Sequence, residues 1–150
     1  MKTAIIGIGS PFGDDQAGWL ALDALQQETW VKAQEAAGIL TLQKLDRPGM
    51  SLLEHWHGYD HVMLIDAVIS TQHAPGMLFK LQPEELALLE FPTSSHGFGI
   101  AEVLALGETL GLLPKQLDIW GVAVPFHNVD SNSLTTGIIC TGVADVLDWK

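Results

Sequence analysis

The 150-residue chain predicts an α/β fold, a three-layer sandwich in which a twisted, mostly parallel sheet of about five strands carries helices on both faces. Three observations carry that prediction. Apolar runs suited to buried strands alternate with segments of helical periodicity along the chain. The run His61 to Val68 is apolar almost throughout, as a strand covered on both faces must be. No internal repeat or low-complexity tract interrupts the alternation.

The first strand and its turn lie in AIIGIGSPFGDDQAGW, Ala4 to Trp19. Small and apolar residues give way to a turn through Gly7, Gly9, Ser10, Pro11 and Gly13, and two adjacent carboxylates, Asp14 and Asp15, follow where helical spacing begins. In an open α/β sheet this first strand-to-helix turn faces the crevice beyond the carboxyl ends of the strands, where ligands bind. An acid there can also serve as an N-cap or first-turn residue, a role open to Asp14 and less so to Asp15. The glycines do not make a dinucleotide fingerprint, because Phe12 stands at the third glycine position. Gly13 is followed by acids rather than by the Gly-Lys-Ser/Thr of a P-loop. Two acids repel a pyrophosphate, so the loop suits a cation better.

Ala17, Leu20, Ala21, Ala24 and Leu25 recur at one face of a helix, and Gln27 to Ala37 either continues it or forms a second piece that stops at Gly38. Ile39 to Leu45 predicts a strand closed by Arg47-Pro48-Gly49. Met50 to His57 reads as a short helix ended by Gly58, and His61 to Val68 as the buried strand, with Asp66 at its carboxyl tip. Met77 to Leu81 predicts a short edge strand after the Ser70 to Gly76 loop, and Pro83-Glu84-Glu85-Leu86 a helix start. From Gly97 the positions Ile100, Val103, Leu104 and Leu106 predict a helix to about Leu112, which places His96 at its N-terminal lip. Leu117 to Val124 is a strand ended by Pro125, and Ser133 to Leu147 a closing helix.

The composition, 47% hydrophobic, suits one domain over residues 1–150. Seven Lys+Arg against eighteen Asp+Glu leave a formal charge of -11, which opposes nucleic acid and anionic membrane surfaces as partners. The opening MKTAIIGIGS is too short for a signal sequence, and no apolar stretch approaches the roughly 18 residues of a membrane span. Cys140, the single cysteine, excludes an internal disulfide and a Cys-rich zinc site. A cytoplasmic monomer is expected.

Asp15, Asp66 and His96 thus fall at corresponding places of the expected fold. Carboxylate oxygen and imidazole nitrogen together suit a borderline divalent ion such as zinc or nickel, with positions left open for water or substrate. The cluster EHWHGYDH is less suited to that task, because His55 and His57, two apart on a helix, face different ways; solvated or helix-end roles fit it better. His73 and His127 lie in loops near the carboxyl edge of the sheet, where supporting or substrate contacts occur. Ser94 and Ser95 lack a nucleophile elbow, and Cys140 reads as a small buried hydrophobe.

The chain resembles the hydrogenase maturation endopeptidases, which trim the C-terminal tail of the large subunit of nickel–iron hydrogenases. The likeness rests on GIGSPFGDD with Gly18 after it, LIDAV at Leu64 to Val68, Pro75-Gly76, the SSH of Ser94 to His96 followed by EVLALGETLG, and Gly121-Val122. It implies a metal-dependent endopeptidase whose metal-binding and catalytic residues are Asp15, Asp66 and His96. It further implies that these groups engage nickel carried by a [NiFe] hydrogenase large-subunit precursor, with other divalent ions able to substitute. Ser10 stands where the family commonly has Asn, the first loop is one residue shorter, Gln16 replaces a common Gly, and Ala123 departs from the usual polar position. These departures motivate an alternative on the same fold, a non-catalytic nickel-binding or checkpoint protein for hydrogenase assembly.

Overall fold

A computed structural model describes residues 2–11, 16–70, 72–88 and 99–124. Five strands form one sheet: β1 (Thr3–Gly9), β2 (Leu40–Asp46), β3 (His61–Ile69), β4 (Leu78–Leu81) and β5 (Gln116–Val124), in the order β2-β1-β3-β5-β4. β1 pairs in parallel with β2 and β3, and β3 with β5; β4 alone runs antiparallel, on the edge beside β5. The α/β sandwich with its mostly parallel sheet is therefore as expected, and β4 is the edge strand that its four-residue length suggests.

Two cores cover the two faces. Helices α1 (Ala17–Gln26) and α2 (Thr29–Ala36) lie on one, where Ala21, Leu22 and Leu25 meet Ile5, Met63 and Ile65. The short α3 (Leu52–His55) and α4 (Ile100–Leu110) lie on the other, where Leu52, Trp56 and Val103 meet Ile6, Val62 and Leu64. This division follows from handedness. The parallel connection from β1 to β2 steps one way across the sheet and that from β2 to β3 steps the other way, so right-handed crossovers put α1 and α2 on one face and α3 on the other.

Strand alternation distributes the side chains. Met63, Ile65 and Ala67 serve the first core and Val62, Leu64 and Val68 the second, which is why β3 reads as a continuous apolar run. Each of the larger side chains among these contributes about 1.5–3 kcal/mol relative to exposure. Gly38 (φ +75°) ends α2 and Gly111 (φ +69°) ends α4 in the left-handed conformation that glycine adopts without strain. The Gln27 to Ala37 segment is a separate helix, because Glu28 is extended (φ -76°, ψ 133°).

One contact fixes the first helix against the sheet. A Cβ on Gly18 would collide with the carbonyl oxygen of Ile8 and lie 2.7 Å from that of Ile65, and a Cβ on Gly7 would lie 2.7 Å from the Gly18 carbonyl oxygen. Backbone therefore rests on backbone where α1 begins. The closing helix expected over Ser133 to Leu147 lies outside the described residues.

Candidate functional site

The strand order reverses direction between β1 and β3, since the chain leaves β1 toward β2 and returns past it to β3. The crevice at the carboxyl ends of such a pair is where an open α/β sheet binds ligands, because neither crossover closes it. Gly9 and Ser10 come to it from β1, Asp66 from β3, and Arg47 from the end of β2, with the Arg47 N–H donating to the Gly9 carbonyl at 3.0 Å.

Asp66 is 1% exposed, the one buried acid among the described residues. Its Oδ1 accepts the N–H of Ala67 at 2.8 Å. The sequence expectation put it at the strand tip, but β3 continues three residues further, to Ile69. The cause is unequal pairing on the two sides. β5 partners β3 as far as Ile69↔Val124, whereas the β1 ladder ends at Gly7↔Ile65. Asp66 thus stands at the first residue where β3 loses its β1 partner, and the crevice opens there. By alternation it shares the face of Leu64 and Val68.

Its neighbour across the β3–β5 ladder is Gly121, and Gly121 in turn pairs with Phe79 of β4. A Cβ on Gly121 would lie 2.7 Å from Val68 Cγ2 and 3.1 Å from Phe79 Cζ, so the phenyl ring occupies the space the glycine leaves. His73 stacks on Phe79 with centroids 3.9 Å apart and planes 4° from parallel. Ser70 Oγ hydrogen-bonds His73 Nδ1 at 2.9 Å and accepts the Gln72 N–H at 3.2 Å. The ends of this loop are tied to β5, Ser70 N–H to the Val124 carbonyl at 3.1 Å and Gly76 N–H to that of Ala123 at 2.8 Å. Sequence reading placed His73 near the carboxyl edge and quoted Gly121 only as part of the family likeness, and it missed Phe79; a glycine inside a strand was the available signal of close approach.

Asp15 and His96 lie outside the described residues, as do Asp14, Ser94, Ser95, His127 and Cys140. What flanks them is described. Ser10 is 1% exposed, and Gln16 Nε2 donates to the Pro11 carbonyl at 3.4 Å across the first loop. Gln16 occupies the N-cap position of α1 without a side-chain capping bond. Trp56 Nε1, beside the start of β3, donates to the Leu112 carbonyl at 3.0 Å, which holds the C-terminal end of α4 at the far end of the sheet. Gly99, at the other end of α4 and three residues after His96 in sequence, is extended (φ -82°, ψ -175°). Among the described residues no three His, Cys, Asp or Glu side chains gather closely enough to hold a metal ion.

His55 and His57 are exposed, in keeping with solvated roles. His61 is different. It opens β3, and its Nε2 meets Asp118 Oδ2 at 2.7 Å, with Lys80 Nζ 3.2 Å from Asp118 Oδ1. Burial alone would raise the Asp118 carboxyl, but the hydrogen bonds from His61 and Lys80 and their charges outweigh it and hold the group below its ordinary value. This cluster lies at the amino end of β3, away from the crevice.

Comparison with known proteins agrees with this architecture. Residues 47–137 match the sequence profile of the HycI hydrogenase maturation proteases. The chain is 32% identical over 126 residues to the hydrogenase 2 maturation protease of Escherichia coli K12, which covers 81% of this chain and 73% of that protein. It superposes on the hydrogenase maturating endopeptidase HybD from E. coli with a TM-score of 0.71 and 26% identity, over 99% of this chain and 91% of that one. The [NiFe] hydrogenase maturation protease HycI from Thermococcus kodakarensis KOD1 shares the fold, with a TM-score of 0.63, 19% identity and coverage of 97% and 89%.

Proposed function

The chain belongs to the hydrogenase maturation protease family, and we propose that it removes the C-terminal tail of a nickel-loaded [NiFe] hydrogenase large-subunit precursor. The observation that carries this reading is the buried Asp66 at the reversal point of the sheet. Carboxylate oxygens placed where the crevice opens are suitable ligands for a divalent cation. Asp15, Asp66 and His96 are the residues proposed to engage the nickel, which arrives as part of the substrate. Oxygen and nitrogen donors of this kind fit nickel and other divalent ions.

A divalent ion in that position polarises a scissile carbonyl or acidifies a coordinated water. The chain supplies the rest. The Ala67 N–H fixes the Asp66 carboxylate, and the packed second core keeps solvent from its far side. A cytoplasmic monomer suits this role; no helix among the described residues is long and apolar enough to cross a membrane.

The test is to incubate the protein with nickel-loaded and nickel-free precursor and follow loss of the tail by mass spectrometry. Cleavage is expected of the loaded form only, and Asp66→Asn is expected to slow it by about a hundredfold, the upper range for disturbed metal sites. Equal cleavage by Asp66→Asn, Asp15→Asn and His96→Gln removes the assigned site. Tight binding of the precursor without any product selects the non-catalytic checkpoint reading instead.

A further inference from the structure

The geometry points to His73 as a substrate-positioning residue: stacked on Phe79 and held by Ser70, it forms the wall of the peptide cleft on the β4 side of Asp66 and donates a hydrogen bond from Nε2 to a main-chain carbonyl of the bound tail. The inference rests on the proposed peptide substrate. Asp66, Gly121 and Phe79 are register partners on three adjacent strands. Because Gly121 has no side chain, the Phe79 ring occupies the space beside it, and the imidazole of His73 stacks on that ring.

His73 is held from two sides. One ring face lies on Phe79, Nδ1 is taken by Ser70 Oγ, and Ser70 is itself tied to β5 through its N–H and to Gln72 through its hydroxyl. The ring is only half-buried, so an edge remains for a ligand. When the Ser70 hydroxyl donates to Nδ1, the neutral ring carries its proton on Nε2 and that atom becomes a donor. A donor fixed before binding loses little freedom on contact, which favours affinity.

The position sets the kinetic consequence. Two strand spacings separate the Asp66 and Phe79 backbones, about 10 Å, or roughly three residues of an extended peptide at about 3.3 Å each. His73 therefore contacts the tail away from the bond that breaks. Contacts of that kind act equally on ground and transition states, so their loss raises KM and leaves kcat in place.

The experiment measures Kd, KM and kcat for the nickel-loaded precursor with wild type, His73→Phe and His73→Gln. Phenylalanine keeps the stack on Phe79 and removes the donor; glutamine places an amide N–H near the Nε2 position. His73→Phe is expected to raise Kd and KM about fivefold, the worth of one hydrogen bond, with kcat within about twofold, and His73→Gln to recover most of the loss. An unchanged Kd in His73→Phe, an equal loss in both variants, or a fall confined to kcat overturns the assignment. If wild type binds the precursor without cleaving it, the protease reading fails and the Kd ratio still decides His73; if it binds no precursor, both fall.

Discussion

Two tryptophans of similar burial make different demands on the chain. Trp56 is 1% exposed and its Nε1 donates to the Leu112 carbonyl at 3.0 Å, whereas Trp120 is 8% exposed and its Nε1 finds no partner among the described residues. A buried donor without an acceptor carries its desolvation penalty uncompensated, about 1–3 kcal/mol. Trp56→Phe is therefore expected to lower stability by more than 1 kcal/mol through the stranded carbonyl and the lost ring volume, and Trp120→Phe to leave it nearly unchanged; urea unfolding compares the two. Asp118 gives a dependence on pH. Its folded value is depressed by His61 and Lys80, so the stability it adds is present above the unfolded carboxylate value near pH 4 and is lost as the pH falls through the lower folded value. The gap in melting temperature between wild type and Asp118→Asn should be open at pH 6 and narrow as the pH falls below the unfolded carboxylate value. His61 was legible only as part of a histidine-rich string. Its partner is 57 positions away, and no local spacing announces a pair formed across parallel strands.

At the scale of elements, the contact between α1 and the sheet decides where the first loop is delivered. Gly18 lies against the carbonyls of Ile8 and Ile65 with no room for a methyl group, and the atoms it would meet are backbone, which cannot rotate away. Gly18→Ala should therefore cost about 1–3 kcal/mol, the usual range for overpacking, and shift the urea midpoint. Gly121→Ala meets side-chain atoms of Val68 and Phe79 and should cost less. Most elements were readable because their signals are local. The spacing of Ala17, Leu20, Ala21, Ala24 and Leu25 marked α1, and the nearly unbroken apolar run marked β3. The antiparallel direction of β4 was not readable. Four residues alternate equally well in either direction, and only the pairing Leu78↔Val122 with Leu81↔Ile119 fixes the sense.

At the scale of the whole molecule, the reversal in strand order opens a crevice among the described residues, and Gly9, Ser10 and Asp66 reach it from β1 and β3. Asp66 was legible as an acid near the end of a buried strand, but its depth was not. Depth depends on where β1 stops pairing and where β5 continues, a property of three strands at once. The same holds for the Asp66–Gly121–Phe79 row, whose members lie far apart in sequence and become neighbours only through the order β3-β5-β4. Corresponding places in the expected fold had already grouped Asp15, Asp66 and His96, and the resemblance to the maturation endopeptidases added the roles it implies for them.

The seating of Gly18 on the sheet reaches beyond α1. One end of the first loop leaves Gly9, clamped by the Arg47 amide, and the other enters a helix whose start is bolted to Ile8 and Ile65. Both anchorages are backbone contacts on either side of the span from Ser10 to Gln16, so the frame sets where the segment that carries the proposed ligand Asp15 leaves the sheet and where it enters α1.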